Sequence, residues 1–167
     1  MGYWGYFVVG RGERPLAELD ALAGAEGMTL RAEAPGGWQV WEYPSSGADV
    51  GSMNALALET GAPALFGYVM DSDCVVVEAA APESGAWTTC LARGAMAGYL
   101  GAGTEGLTLE DYFLEPPEAA ERAVAWAAEA GHEVNTESLV AVLTADADPL
   151  AENLFFRLLD RLGVVPL

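Results

Sequence analysis

The sequence predicts an α+β fold with a mixed, largely antiparallel sheet of five to six strands, two helices in the N-terminal half and a C-terminal three-helix segment. β-favouring apolar runs broken by Gly, Pro and Asp occupy the first part of the chain. After Pro116 the apolar spacing becomes helical. Since no repeat and no long linker divides the chain, we predict a single domain over residues 1–167, with a sheet-rich part (1–106) and a helical part (107–167) packed on it.

The N-terminal part begins with a run of Tyr, Trp, Phe and Val at residues 3–9, which is typical of a strand buried on both faces. A helix is predicted over residues 15–24, because Pro15 suits a first helical turn and Leu residues follow at helical spacing. Residues 28–32 form a weak strand pattern. Residues 38–43 form a stronger one that Pro44 ends.

The middle of the chain predicts a short helix and an antiparallel meander. Ser52 suits the N-cap of a helix that ends at Gly61. Acidic and small residues at 71–73 and a Pro-Glu-Ser-Gly turn at 82–85 separate three apolar runs. These runs are the predicted strands 64–70, 74–79 and 86–91.

The C-terminal part predicts three helices, whereas the Gly- and Ala-rich segment 94–106 gives no clear pattern. The helices are expected over residues 118–130, from an N-cap at Thr136, and from Asp148-Pro149 to Gly163. The last has a wide apolar stripe that includes Phe155 and Leu158. We therefore expect it to dock on the core.

Composition excludes several classes of function. A hydrophobic content of 52% excludes disorder, although 25 acidic residues against 7 Arg give a net charge of −18. This charge repels nucleic acids and anionic membrane surfaces, so no nucleic-acid or membrane partner is expected. No apolar run is long enough to span a membrane and no signal peptide is recognisable, which predicts a soluble, cytoplasmic protein.

Residue types that carry covalent or metal chemistry are scarce. His132 is the only His, and it is distant in sequence from Cys74 and Cys90. If the 82–85 turn has four residues, the register places the two Cys on opposite faces and forbids a disulfide. Zinc needs more Cys or His ligands than the chain has, and no phosphate-binding motif is complete. We therefore predict no catalytic residue, no metal and no cofactor.

Two stretches carry a resemblance to known proteins. The sequence Glu-Thr-Gly-Ala-Pro-Ala-Leu-Phe-Gly-Tyr-Val-Met-Asp-Ser-Asp at 59–73 combines a helix end, a buried strand and an acidic turn. With the Tyr-Trp-Gly-Tyr-Phe-Val-Val run at 3–9, it resembles small acidic α+β proteins of actinobacteria. Some of these look similar to immunity proteins that neutralise toxins. The resemblance implies a small, soluble, non-catalytic binding protein and transfers no site residues.

Two functions from different classes follow. The first is a non-enzymatic binding module whose acidic face docks on a basic protein, since residues 105–152 alone hold 12 acids and one Arg. The predicted contact residues are Glu110, Asp111, Tyr112, Phe113, Glu115, Glu118 and Glu121. The alternative is a small-molecule-binding protein or an enzyme with a pocket between sheet and helices, lined by Tyr6, Trp41, Tyr68 and Glu78. A mimic of the DNA phosphate array is a third hypothesis.

Overall fold

The computed structural model describes residues 2–45, 49–103, 109, 112–147 and 150–165. Its sheet has six strands in the order β2-β3-β1-β4-β5-β6, and each pairing between them is antiparallel. The predicted α+β class and six-strand sheet are confirmed, but the described sheet is antiparallel throughout and not mixed. The strands are β1 (Gly5–Arg11), β2 (Thr29–Ala34), β3 (Trp38–Pro44), β4 (Ala64–Met70), β5 (Cys74–Ala81) and β6 (Gly85–Leu91).

Five α-helices accompany this sheet within the described ranges. The three C-terminal helices are confirmed. The expected start of the last one at Asp148-Pro149 lies outside the described residues. The undecided Gly- and Ala-rich segment contributes a helix directly after β6. The helices are α1 (Met53–Thr60), α2 (Arg93–Gly103), α3 (Pro116–Glu129), α4 (Thr136–Thr144) and α5 (Ala151–Leu162).

The helix predicted over residues 15–24 is instead a pair of 3₁₀ turns, Leu16–Glu18 and Asp20–Leu22. Leu19 separates them, with extended backbone angles of φ −81° and ψ 148°. The apolar spacing was interpreted correctly as a buried stripe, because Leu16, Leu19 and Leu22 are all buried. A segment this short gains little from helix propagation, so packing decides its backbone form.

The sheet is covered on both faces. On one face, Phe7 and Val9 of β1 belong to a core shared with α3, α4 and α5. On the other face, Val8 of β1 packs in a second core with the 3₁₀ turns and α1. Alternate residues of one strand therefore contact different layers, as the two-residue period of a strand requires. This explains why the sequence of β1 is apolar without alternation.

Helix α5 docks on the sheet through an aromatic ring. Phe155 is fully buried and stacks on Phe7 of β1, with ring centroids 6.1 Å apart. Below the ring lies Gly67 of β4, where a Cβ atom would stand 2.4 Å from Cδ1 of Phe155. The strand therefore needs glycine at this position because the ring occupies the space of a side chain. Leu158 is buried as well, in agreement with the predicted stripe.

The β5–β6 turn is one residue shorter than expected. Ala81 pairs with Gly85, so Cys90 lies opposite Val76 and shares a sheet face with Cys74. The predicted placement of the two Cys on opposite faces is therefore wrong. Both Cys are nevertheless free and buried, and the Cys74 sulfur lies 4.0 Å from the sulfur of Met96 in α2.

Two side chains of α3 hold the β5–β6 turn in place. The Glu129 carboxylate accepts hydrogen bonds from the backbone N–H groups of Glu83 (2.9 Å) and Ser84 (2.8 Å). The Arg122 guanidinium donates to the carbonyl of Ala86 at 2.8 Å. Burial raises the pKa of Glu129, but these N–H donors outweigh that effect and lower the pKa below its ordinary value.

We expect Glu129→Gln to lower the free energy of unfolding by about 1 kcal/mol near neutral pH, because a charge-assisted pair becomes a neutral one. The folded-state pKa is depressed, so this contribution is present above the unfolded-state pKa. It is lost as the pH falls through the folded-state pKa. Urea unfolding of wild type and variant should therefore differ at about pH 7 and converge at an acidic pH below the folded-state pKa.

The matched control for this prediction is Glu133→Gln, which removes one exposed acid just after the same helix. It corrects for the general effect of lowering a large negative charge. If the two variants showed the same difference from wild type at both pH values, the carboxylate would not contribute through the turn.

Candidate functional site

The predicted acidic contact face is only partly accessible. Tyr112 is 50% exposed, whereas Phe113 is a buried member of the core, so Phe113 supports its neighbour from below. Glu118 and Glu121 are exposed on α3, and half-buried Glu115 is the N-cap residue of that helix. Glu110 and Asp111 lie outside the described residues.

A shallow groove of about 270 Å³ adjoins this face. Its lining includes Trp87 of β6, Tyr112 and Arg122. The backbone N–H of Leu114 donates to the carbonyl of Thr88 at 3.0 Å, so the 112–114 segment covers part of the β6 edge. The groove is therefore lined by aromatic side chains and by the guanidinium of Arg122, which already donates a hydrogen bond to the carbonyl of Ala86.

The predicted pocket residues meet on one sheet face, around a row of three tyrosines. Tyr43, Tyr6 and Tyr68 are register neighbours on β3, β1 and β4. The Tyr6 ring stacks on that of Tyr68 with centroids 4.4 Å apart, and its centroid is 6.2 Å from that of Tyr43. All three side chains are half-buried. We call these three residues the tyrosine row.

Two further aromatic rings extend the tyrosine row. Trp4 lies beside Tyr68, with a centroid distance of 6.3 Å. The Phe66 ring meets that of Tyr6 edge-on at 5.1 Å and belongs to the core beneath. The result is a continuous, partly exposed aromatic surface of the kind that provides anchors in protein interfaces.

Trp41 and Glu78 belong to the adjacent row of the same face. Trp41 and Phe66 are the register neighbours of Val8, and Glu78 lies next to Phe66. The Glu78 carboxylate accepts a hydrogen bond from the backbone N–H of Met53 (3.2 Å), the first residue of α1. Glu78 therefore satisfies a free N–H of that helix.

Acidic groups surround the tyrosine row. The pKa of Tyr6 is raised to about 12, mainly by burial and in addition by the charges of Asp49 and Glu78 and by the neighbouring Tyr68 and Tyr43. Burial also raises the pKa of Tyr68. These phenols stay protonated at neutral pH and are hydrogen-bond donors. The exposed Asp49 and the half-buried Glu78 make the surroundings negative.

Few acidic side chains form salt bridges with other residues that the structure describes. Among the described residues, the salt bridges are Arg31 with Glu42 and Arg161 with its neighbour Asp160. Because 25 acidic residues stand against 7 Arg, pairing with Arg leaves a large excess of negative charge on the protein.

Among the described residues, the side chains that could support covalent or metal chemistry do not cluster. Within the described ranges, no group of three or more His, Cys, Asp or Glu could hold a metal ion. Burial raises the pKa of Cys74 to about 12 and that of Cys90 to about 11, so neither thiol is a nucleophile near neutral pH. None of the helices in the described part of the chain has the length and apolar character that crossing a bilayer requires.

Comparisons of the chain with protein-family models, with curated proteins and with solved structures found no match. The site is therefore argued from its geometry alone. The sequence predicted that Tyr6, Trp41, Tyr68 and Glu78 lie together, but as the lining of a pocket. Tyr43 was not predicted to join Tyr6 and Tyr68 in an exposed surface, because strand register decides which rings meet.

Proposed function

We propose that the protein is a non-enzymatic binding module that docks on a basic partner protein through the tyrosine row and its acidic surroundings. The observation that carries the proposal is the half-exposed stack of Tyr43, Tyr6 and Tyr68 beside Asp49 and Glu78. Aromatic faces attract Lys and Arg side chains, and adjacent carboxylates strengthen that attraction. The partner in this proposal inserts such side chains over the row.

The acidic face of α3 has a different role in this proposal. Glu118 and Glu121 are exposed and contribute to a field that steers a basic protein toward the molecule. Charges outside the contact change mainly the association rate and its salt dependence, whereas buried aromatic anchors change the dissociation rate. An inhibitor- or immunity-like role is the form of this function that the sequence resemblance favours.

The test begins with affinity capture from a lysate of the organism that encodes the chain, followed by kinetics with the purified basic partner. We expect Tyr68→Ala to weaken binding by about 10–30-fold, mostly through faster dissociation. Asp49→Asn should slow association and reduce its salt dependence. Circular dichroism confirms that each variant is folded.

The matched controls are Glu137→Gln and Asp146→Asn, which remove exposed acids from α4 and from the segment that follows it. Helix α4 belongs to the opposite layer, so these changes should alter binding less than twofold. If Tyr68→Ala bound like the controls while Glu118→Gln with Glu121→Gln weakened binding strongly, the docking surface would be the α3 face instead. If all variants bound like wild type, both surfaces would be wrong.

The alternative of a small-molecule pocket lined by Tyr6, Trp41, Tyr68 and Glu78 stays a prediction. None of these residues lines the groove beside β6 or the cleft at the end of β1. The rings of Tyr6, Trp41 and Tyr68 form a surface that accommodates a side chain of a partner better than an enclosed ligand.

A further inference from the structure

A cleft of about 1090 Å³ lies at the end of β1, far along that strand from Tyr6. It is bounded by three chain segments: the loop after β1, the β2–β3 turn and the connection from α1 to β4. Its volume is sufficient for a small organic ligand. Its lining includes four charged residues and the two glycines of the β2–β3 turn: Arg11, Arg14, Glu13, Glu59, Gly36 and Gly37.

Two of the seven Arg residues of this acidic chain line the cleft. Arg11 donates through Nε to the carbonyl of Gly36 at 2.7 Å, which fixes its side chain and leaves the other guanidinium nitrogens available. Arg14 is exposed, and its guanidinium makes no hydrogen bond or salt bridge with the residues that the structure describes. Neither is neutralised by a carboxylate within that part of the chain, although Glu13 and Glu59 border the same cleft.

The loop that carries Arg14 is held by one buried polar side chain, Gln39 of β3, which is 7% exposed. Its Nε2 donates to the carbonyls of Gly12 and Arg14, both at 3.0 Å. Its Oε1 accepts from the backbone N–H of Leu16 (3.0 Å) and from Nε1 of Trp41 (2.8 Å). The hydrogen-bonding capacity of this amide is thus fully used, and the loop is fixed before any ligand arrives.

The two acids of the lining restrict the ligand. Glu59 is exposed, and its carboxylate accepts from the backbone N–H groups of Asp20 (3.1 Å) and Ala21 (2.8 Å). Its charge is therefore partly balanced by these donors. Glu13 is exposed in the Gln39-held loop and disfavours a ligand with several negative charges.

We propose that this cleft binds a small molecule through one oxyanion group, a carboxylate or a phosphate, which the guanidinium groups of Arg11 and Arg14 hold. Guanidinium groups donate paired hydrogen bonds to both kinds of oxyanion. Glu13 then accepts hydrogen bonds from hydroxyl or amino groups elsewhere on the same ligand. This site is separate from the tyrosine row and independent of the proposed docking function.

Two probes distinguish the sources of the oxyanion: inorganic phosphate and acetate, each titrated at constant ionic strength against chloride. Amide signals are followed by ¹H–¹⁵N correlation spectroscopy. We expect saturable shifts of the Gly12, Gly36 and Gly37 signals with at least one probe. Arg14→Ala should weaken that binding at least about 10-fold, because a charged hydrogen-bonding partner is lost. Arg11→Ala should do the same.

The matched control is Arg157→Ala, which removes the same charge from α5, outside the cleft. It should leave the affinity within about twofold of wild type. The proposal is overturned if neither probe gives saturable shifts, if Arg14→Ala binds as tightly as wild type, or if Arg157→Ala weakens binding equally. Tyr68→Ala should leave these titrations unchanged, so failure of the docking proposal and failure of this one are distinguishable.

Discussion

Replacing Phe155 by Ala is expected to lower the free energy of unfolding by about 3–5 kcal/mol. The ring is fully buried between Phe7 and Gly67, and its removal leaves a cavity in the layer where α5 meets the sheet. Urea unfolding followed by far-ultraviolet circular dichroism measures the loss. Leu58→Ala is the control, because Leu58 is 68% exposed and should cost less than about 0.5 kcal/mol.

A double-mutant cycle makes this prediction specific to the contact. Gly67→Ala alone should destabilise by about 1–3 kcal/mol, since its Cβ would stand 2.4 Å from a Phe155 ring atom. In the Phe155→Ala background the same change should cost much less, because the new methyl group enters the cavity. Additive effects of the two substitutions would contradict the described packing of α5 on β4.

Trp126 of α3 is the second position with a large expected effect. Its ring is completely buried, with its centroid 5.9 Å from that of Trp38 in β3. Its indole Nε1 donates to the carbonyls of Ala64 in β4 and Ala80 in β5, both at 3.2 Å. We expect Trp126→Ala to cost about 3–5 kcal/mol, because packing and both carbonyl partners are lost together.

Trp126→Phe separates these two contributions. It retains most of the ring and leaves the carbonyls of Ala64 and Ala80 without their donor, so a loss of about 1–3 kcal/mol is expected. The same urea titrations give both values. If Trp126→Phe were as stable as wild type while Trp126→Ala was not, the hydrogen bonds would contribute nothing to the anchoring of α3.

The sequence predicts best those elements whose local signals agree with their packing. Ser52 has a capping side chain, and its Oγ accepts from the N–H of Ala55. Helix α5 has both a continuous apolar stripe and Gly163, which ends it with a positive φ of 83°. Where stripe, cap and terminating glycine agree, tertiary contacts need not override the local preference.

The differences arise where packing or register decides. At 15–24 the apolar spacing alone could not distinguish one helix from two 3₁₀ turns separated by the extended Leu19. A one-residue difference in the β5–β6 turn reversed the relative orientation of Cys74 and Cys90. Helix α2 was missed because its Gly- and Ala-rich sequence has weak intrinsic preference.

The candidate sites were predictable only in part, for the same reason. Tyr6 and Tyr68 were predicted together only as pocket residues, because the tyrosine row depends on pairings between strands that are distant in sequence. Gln39 did carry a signal, because an amide between the apolar residues Trp38 and Val40 needs internal partners when it is buried. Which loop supplied those partners could be learned only from the structure.

The two buried thiols are an intrinsic probe of local opening of the sheet. Cys74 and Cys90 lie on neighbouring strands and remain protonated well above neutral pH. A thiol reagent therefore reacts only in molecules whose β5–β6 region has transiently opened, where each Cys regains its ordinary reactivity. The labelling rate in native buffer then reports how often this part of the sheet opens, without any introduced probe. A bound partner that stabilises the closed sheet would lower this labelling rate.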